Sequence, residues 1–295
     1  MLEMGLDTFG DVTADASGHL LPHAQVIRDV IEEAVLADRI GIDFIGLGEH
    51  HRADFAISAP ETVLAAIAGQ TKRIRLGTAV TVLSSDDPIR VFQRFATLDA
   101  ASSGRAEVIL GRGSFTESFP LFGFPLDQYE RLFQEKLDLF VEVLKQEPVT
   151  WEGSIRPPLA NQRIFPPIEH GRLKTWIGVG GSPESVVRAA YYQLPLMLAI
   201  IGGDPQRFTP YVDLYRRTHE QRKTEVQPFG IHSPGYVAAT DEQARAEFWL
   251  PYKGMRDRIG KERGWPPMTR AQFDASLGLQ GAQFVGSPEQ ATEKI

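Results

Sequence analysis

Short apolar runs alternate along the chain with stretches whose apolar positions recur every three or four residues. The runs fall at 2–9, 43–47, 74–83, 106–110, 175–179, 196–201 and 230–238, with helical stretches at 25–39, 60–71, 88–102, 127–146, 183–192, 208–222 and 241–258. Runs apolar on both faces are what a strand needs when helices cover it on both sides. Repeated strand-then-helix units predict a parallel sheet. Several helices carry start signals. Ser58 and Glu61 are spaced as a capping box with Pro60 in the first turn, and Asp87 before Pro88 reads as an N-cap with proline at N1. In the third helix Ile89, Phe92 and Phe95 would face the sheet.

Seven such units, followed by the start of one more helix at 287–295, nearly close into an α/β, TIM (β/α)8 barrel. The eighth strand is missing from the pattern. An open barrel would leave strand edges unpaired, so the eighth unit is expected beyond Ile295. The alternative is a doubly wound open sheet, but active-site-like loops after strands two to five favour the barrel. A single barrel domain is expected over 1–295, with two Pro- and Gly-rich stretches, 147–172 and 251–286, as inserted loops.

Charge and composition narrow the function. A net charge of -7 argues against general affinity for nucleic acid or anionic membrane, where lysine and arginine must neutralise phosphates. The chain has no cysteine, which excludes disulfides, thiolate metal sites and cysteine nucleophiles, and fits a reducing cytoplasm. No basic n-region and no 18-residue apolar run marks a signal or a membrane span, so a cytoplasmic protein is expected.

The second run ends in Gly48-Glu49-His50-His51. Barrel active sites lie at the carboxyl ends of strands, so imidazoles there point to chemistry. Two other readings stand: the three side chains simply hydrogen-bond one another, or they hold a metal. Neighbours on a strand face opposite ways, so His50 and His51 would share a metal only if the chain turned between them. After the fifth run, Gly180-Gly181-Ser182-Pro183 leads straight into a helix, where close backbone approach and free amides suit a phosphate. The spacing is neither that of a Walker loop nor of a dinucleotide fold. A near copy, Gly286-Ser287-Pro288-Glu289, follows no clear strand and serves as an internal control. After the fourth run, Arg112 stands between Gly111 and Gly113, either as an anion or ring-carbonyl contact or as a surface arginine in a turn. His19, His23, His170 and His219 read as solvent-exposed, and His232 as a possible pocket residue.

Together, Gly-Leu-Gly-Glu-His-His, then Leu-Gly-Thr-Ala-Val-Thr-Val-Leu-Ser-Ser-Asp-Asp-Pro, then Ile-Leu-Gly-Arg-Gly, and Gly-Val-Gly-Gly-Ser-Pro-Glu-Ser resemble, in that order, the bacterial luciferase-like monooxygenase family. The resemblance spans nearly the whole chain. It implies the eightfold barrel and a reduced FMN cofactor, or deazaflavin F420 in one branch. It implies that His50 is the active-site histidine, that Ala79 and Val80 are joined by a cis peptide under the flavin ring, that Gly111, Arg112 and Gly113 form the flavin-contacting turn, and that Gly180, Gly181 and Ser182 cradle the phosphate. Gly111 stands where luciferases carry a reactive cysteine, and Gly180 and Gly181 replace a Glu-Ser pair. Light emission is therefore not expected, and phosphate contacts would come more from backbone amides.

What the resemblance implies in function is a flavin-dependent monooxygenase acting with O2 on a small organic substrate. It would receive reduced FMN from a separate NAD(P)H-dependent flavin reductase, since no second nucleotide motif is visible, and would act as a homodimer. The rival readings are an F420-dependent oxidoreductase transferring hydride, a non-catalytic flavin-binding protein, and a metal-dependent hydrolase using Glu49, His50 and His51.

Overall fold

The computed structural model describes residues 2–294 apart from Ala16 and Leu279. The chain divides into two compact units, 1–178 and 179–295.

In the first unit, strands β1 (Gly5–Thr8), β2 (Phe44–Leu47) and β3 (Arg75–Thr78) run parallel, with Gly5 opposite Phe44 and Phe44 opposite Arg75. Beyond a break at Ala79-Val80 the third run resumes as β4 (Thr81–Val82), which pairs parallel with β5 (Glu107–Gly111). The first part of β8 (Lys174–Val179) follows β5, Ile109 lying opposite Trp176. Helices α1 (His23–Ile40), α2 (Pro60–Ala68), α3 (Pro88–Ser102), the short α4 (Ser118–Phe122) and α5 (Tyr129–Val143) connect these strands. The burial explains the pattern. All five residues of β5 are buried, as a strand covered on both faces requires. On α3 the buried stripe is Val91, Phe92, Phe95, Leu98 and Asp99, with Ile89 only half covered.

Asp87 caps α3 as expected, accepting from the amides of Ile89 and Arg90. The Ser58–Glu61 box does not form: Ala59 is the N-cap of α2, without a side-chain cap. Glu61 is drawn instead to Arg94, whose Nε lies 3.0 Å from Oε1. The excursion 147–172 carries an antiparallel pair, β6 (Val149–Trp151) and β7 (Leu159–Gln162).

In the second unit α6 (Pro183–Tyr191) and α7 (Thr209–Arg222) flank β9 (Leu196–Ala199), which runs parallel to β10 (Phe229–His232). The chain then makes β11 (Gly235–Val237), α8 (Asp241–Arg263), α9 (Arg270–Leu277), β12 (Phe284–Gly286) and α10 (Pro288–Glu293). One expectation is corrected here. The stretch 251–286 is not an inserted loop, because α8 runs on through Pro251 and packs with α9 and β12 around Ala244, Tyr252, Phe273, Leu277 and Val285. A further short strand, β12, runs parallel to β11, Tyr236 opposite Val285, and leads into α10. Three residues, with only Phe284 and Val285 apolar, are too short a run to stand out.

His219 is also corrected. It is fully buried, since Tyr215 and His219 are one helical turn apart on α7 and both turn inward, their rings edge to face at 4.7 Å. Thr224 satisfies its Nδ1 at 2.8 Å.

Candidate active site

Strand β2 delivers Glu49, His50 and His51 as the chain leaves the sheet, and His50 parts at once from the other two. The His50 imidazole stacks on Phe55 at 4.4 Å between centroids and meets the edges of Phe9 at 4.7 Å and Phe115 at 5.1 Å. Its backbone amide donates to the Ile57 carbonyl at 3.0 Å, which closes the loop that brings Phe55 across the ring. Burial among these rings pushes the imidazole down to about 4, against the opposing pull of Asp54 and with smaller help from His51 and Arg52. His50 is therefore neutral near pH 7, with one nitrogen donating and the other accepting.

Glu49 and His51 turn the other way. His51 Nε2 lies 3.0 Å from Glu49 Oε1, and Glu49 Oε2 accepts from the Val82 amide at 2.8 Å. Glu49 thus ties the end of β2 to β4, and the mutual hydrogen-bonding reading holds for these two residues but not for His50. A metal at Glu49 and His51 would have to displace both contacts. Among the described residues no group of three or more His, Asp or Glu side chains is arranged to hold a metal ion.

The Ala79–Val80 peptide is cis, and the Val80 carbonyl accepts from the Glu49 amide at 3.3 Å. Around Val80 the glycines have a steric reason. A Cβ on Gly111 would lie 2.4 Å from Val80 Cγ2, and one on Gly178 would lie 2.9 Å from Cγ1. The ends of β5 and β8 therefore close on the valine with backbone alone. At the next turn Gly113 adopts a φ of 81°, which favours glycine, and its carbonyl accepts from Tyr129 Oη at 2.7 Å. Arg112 is held by an ion pair with Glu130 and lies 5.5 Å over the Tyr129 ring.

In the second unit Gly180 and Gly181 precede α6. A Cβ on Gly180 would meet nothing within 4 Å, so the backbone there is open to an approaching group. Gly181 has a φ of 131°, and its carbonyl accepts from Tyr211 Oη at 2.9 Å. Ser182 caps α6, accepting from the Ser185 amide at 3.4 Å while donating to Glu184 Oε2 at 2.8 Å. Its hydroxyl is already engaged, which leaves the glycine backbone as the natural anion contact. The control copy is closed: the Ser287 amide donates to Asp241 Oδ1 at 2.6 Å, and a Cβ on Gly286 would lie 2.9 Å from the same oxygen. A carboxylate of the chain itself holds that helix terminus.

Residues 8–295 match the luciferase-like monooxygenase family. The chain belongs to that family. Like its other members it has the (β/α)8 barrel fold, which decides against the open sheet. Among solved structures, the monooxygenase RslO1 from Streptomyces bottropensis superposes with a TM-score of 0.84 at 21% identity, over 99% of this chain and 87% of that one. The oxygenating constituent of 3,6-diketocamphane monooxygenase from Pseudomonas putida, a type II Baeyer-Villiger enzyme in complex with FMN, gives 0.77 at 20% identity over the same shares. Among curated relatives, the uncharacterized protein y4vJ of Sinorhizobium fredii is 33% identical over 186 residues, 60% of this chain and 51% of that protein. The match thus spans about half the length of that relative. No helix of the described residues is long and apolar enough to cross a membrane.

The spacing of residues along the chain gave no sign of Phe9, Phe55 and Phe115 as the walls around His50, or of Arg52 and Glu117 behind them. The one available signal was a pair of phenylalanines in polar loops after strand ends, Phe55 and Phe115, where apolar side chains have no helix or strand face to serve.

Proposed function

We propose that this chain is a flavin-dependent monooxygenase using reduced FMN and O2 on a small organic substrate. The observation that carries the reading is the floor at Val80, where Gly111 and Gly178 bring only backbone against one isopropyl group and the Glu49 amide links that floor to the loop of His50. Such a flat apolar surface fits the face of a tricyclic ring, and any side chain at Gly111 would displace the valine. We assign the ring to Ala79, Val80, Gly111, Arg112 and Gly113, and the phosphate to Gly180, Gly181 and Ser182. Bound reduced FMN would supply the electrons that activate oxygen.

The residues of the chain do the rest. The phenyl rings of Phe9, Phe55 and Phe115 cover part of the partly exposed His50 ring and reduce its contact with water. As a neutral imidazole packed among aromatic rings, His50 offers a hydrogen bond to the reacting oxygen rather than a charged acid. Arg112, fixed by Glu130 and Tyr129, presents a cation to the electron-rich edge of the ring. A separate NAD(P)H-dependent flavin reductase, a homodimer and one barrel domain spanning 1–295 belong to the same reading and rest on family membership.

The test has two steps. The absorption spectrum of the purified protein, or of protein mixed with FMN, with mass spectrometry of what denaturation releases, should identify FMN; recovery of F420 would make the chain a hydride-transfer enzyme. His50→Ala should then bind FMN within about threefold of wild type but lose about 10²- to 10⁴-fold in the rate of the oxygen step by stopped-flow spectroscopy. Equal losses in His50→Ala and His51→Ala, with one metal per chain, would favour the hydrolase.

A further inference from the structure

We propose that Arg52 and Glu117 are positioning residues, a latch that holds the loop 112–117 over the His50 cage and keeps water off the imidazole. The proposal rests on His50 being the active-site histidine. Arg52 stands two residues after His50, and the contacts of its guanidinium include Asp54, Glu117 and Phe115. Its Nε lies 3.0 Å from Asp54 Oδ1 in its own loop, its Nη1 pairs with Glu117 Oε1, and its Cζ lies 4.8 Å from the centroid of the Phe115 ring. Phe115 in turn sets its edge on His50. Asp54 thus fixes the guanidinium from one side, while the other side holds both the cage wall and the carboxylate that follows it.

The loop is built to be held at a few points. Gly113, with its positive φ, is a natural pivot at one end, and fully buried Phe119 anchors the other. Between them, Arg52 draws Phe115 and Glu117 towards the loop after β2. The side chains of Arg52 and Asp54 are each 10% exposed, but that of Glu117 is 35% exposed, so the latch opens from its outer end. An ion pair of this kind adds little net stability and much geometric definition.

The groups acting on the imidazole allow a sign test. Asp54 raises its proton affinity, His51 and Arg52 lower it, and desolvation lowers it most. Glu117 acts from behind Arg52. As a charge alone, loss of its carboxylate would leave the proton affinity of His50 unchanged or lower it further. As a latch, its loss admits water and raises it.

The experiment is a heteronuclear NMR titration of the histidine rings in the full, flavin-free chain. Wild type should keep His50 neutral down to about pH 4. In Glu117→Gln its pKa should rise by about one unit or more towards the solvent value, and the amides of 114–117 should exchange faster while those of β5 stay protected. Arg52→Lys should fall between the two. An unchanged or lower pKa in Glu117→Gln, or unchanged exchange in 114–117, overturns the latch. Because no flavin is used, failure to bind FMN would leave this result standing by itself.

Discussion

An imidazole packed against three phenyl rings loses its charged form before anything else about it changes. Folding lowers the proton affinity of His50, so between about pH 4 and 6.5 the folded chain binds fewer protons than the unfolded chain. The stability linked to His50 is fully present above 6.5 and is lost as the pH falls through that window. His219 acts in the same direction, its proton affinity lowered by burial and by Arg222. His50→Phe keeps an aromatic ring in the cage and removes the titration. Thermal unfolding followed from pH 7 to 4.5 should show wild type losing more stability than His50→Phe; parallel curves would mean that the cage does not exclude water. The histidine was readable because it follows an apolar run on a strand. Its walls were not, because Phe9, Phe55 and Phe115 are far apart in sequence and follow no common period.

At the level of the element, Ser182-Pro183-Glu184 and Ser287-Pro288-Glu289 open two helices with the same three residue types and opposite consequences. The first leaves its glycines open, whereas the second is closed on Asp241, whose carboxylate is held well below its usual range by the Ser287 amide and hydroxyl. Gly181→Val should therefore weaken FMN binding in a fluorescence-quenching titration with little change in melting temperature beyond the strain at its positive φ. Gly286→Val should do the reverse, because its new side chain collides with Asp241 Oδ1 and with Gln290 Oε1 at 2.5 Å. A large loss of FMN affinity in Gly286→Val with none in Gly181→Val would exchange the two assignments. Most strands were readable because both their faces are apolar, as in Val108, Ile109 and Leu110, all of which are buried. Helix α9 and strand β12 were not, because they bury few side chains: Phe273 and Leu277 alone on the helix, and Val285 on a strand preceded by the buried but polar Gln283. Pro251 misled for another reason. Proline disfavours a helix interior by removing a donor, yet α8 passes through it, with Ala244 and Tyr252 packed into the cluster around Phe273.

For the whole molecule, the question is where the electrons enter. None of the glycine-rich turns of this chain has the Gly-x-Gly-x-x-Gly spacing at which a strand meets a helix to hold a nicotinamide dinucleotide. A net charge of -7 adds no general attraction for a polyanionic cofactor. The chain should accordingly consume no NADH or NADPH at a catalytic rate when mixed with FMN in air. Adding a flavin reductase, or supplying FMN reduced by light, should restore flavin turnover in the presence of protein. Nicotinamide oxidation by the purified chain and FMN alone, followed at 340 nm and abolished by His50→Ala, would place both half-reactions on this polypeptide and remove the separate reductase from the account.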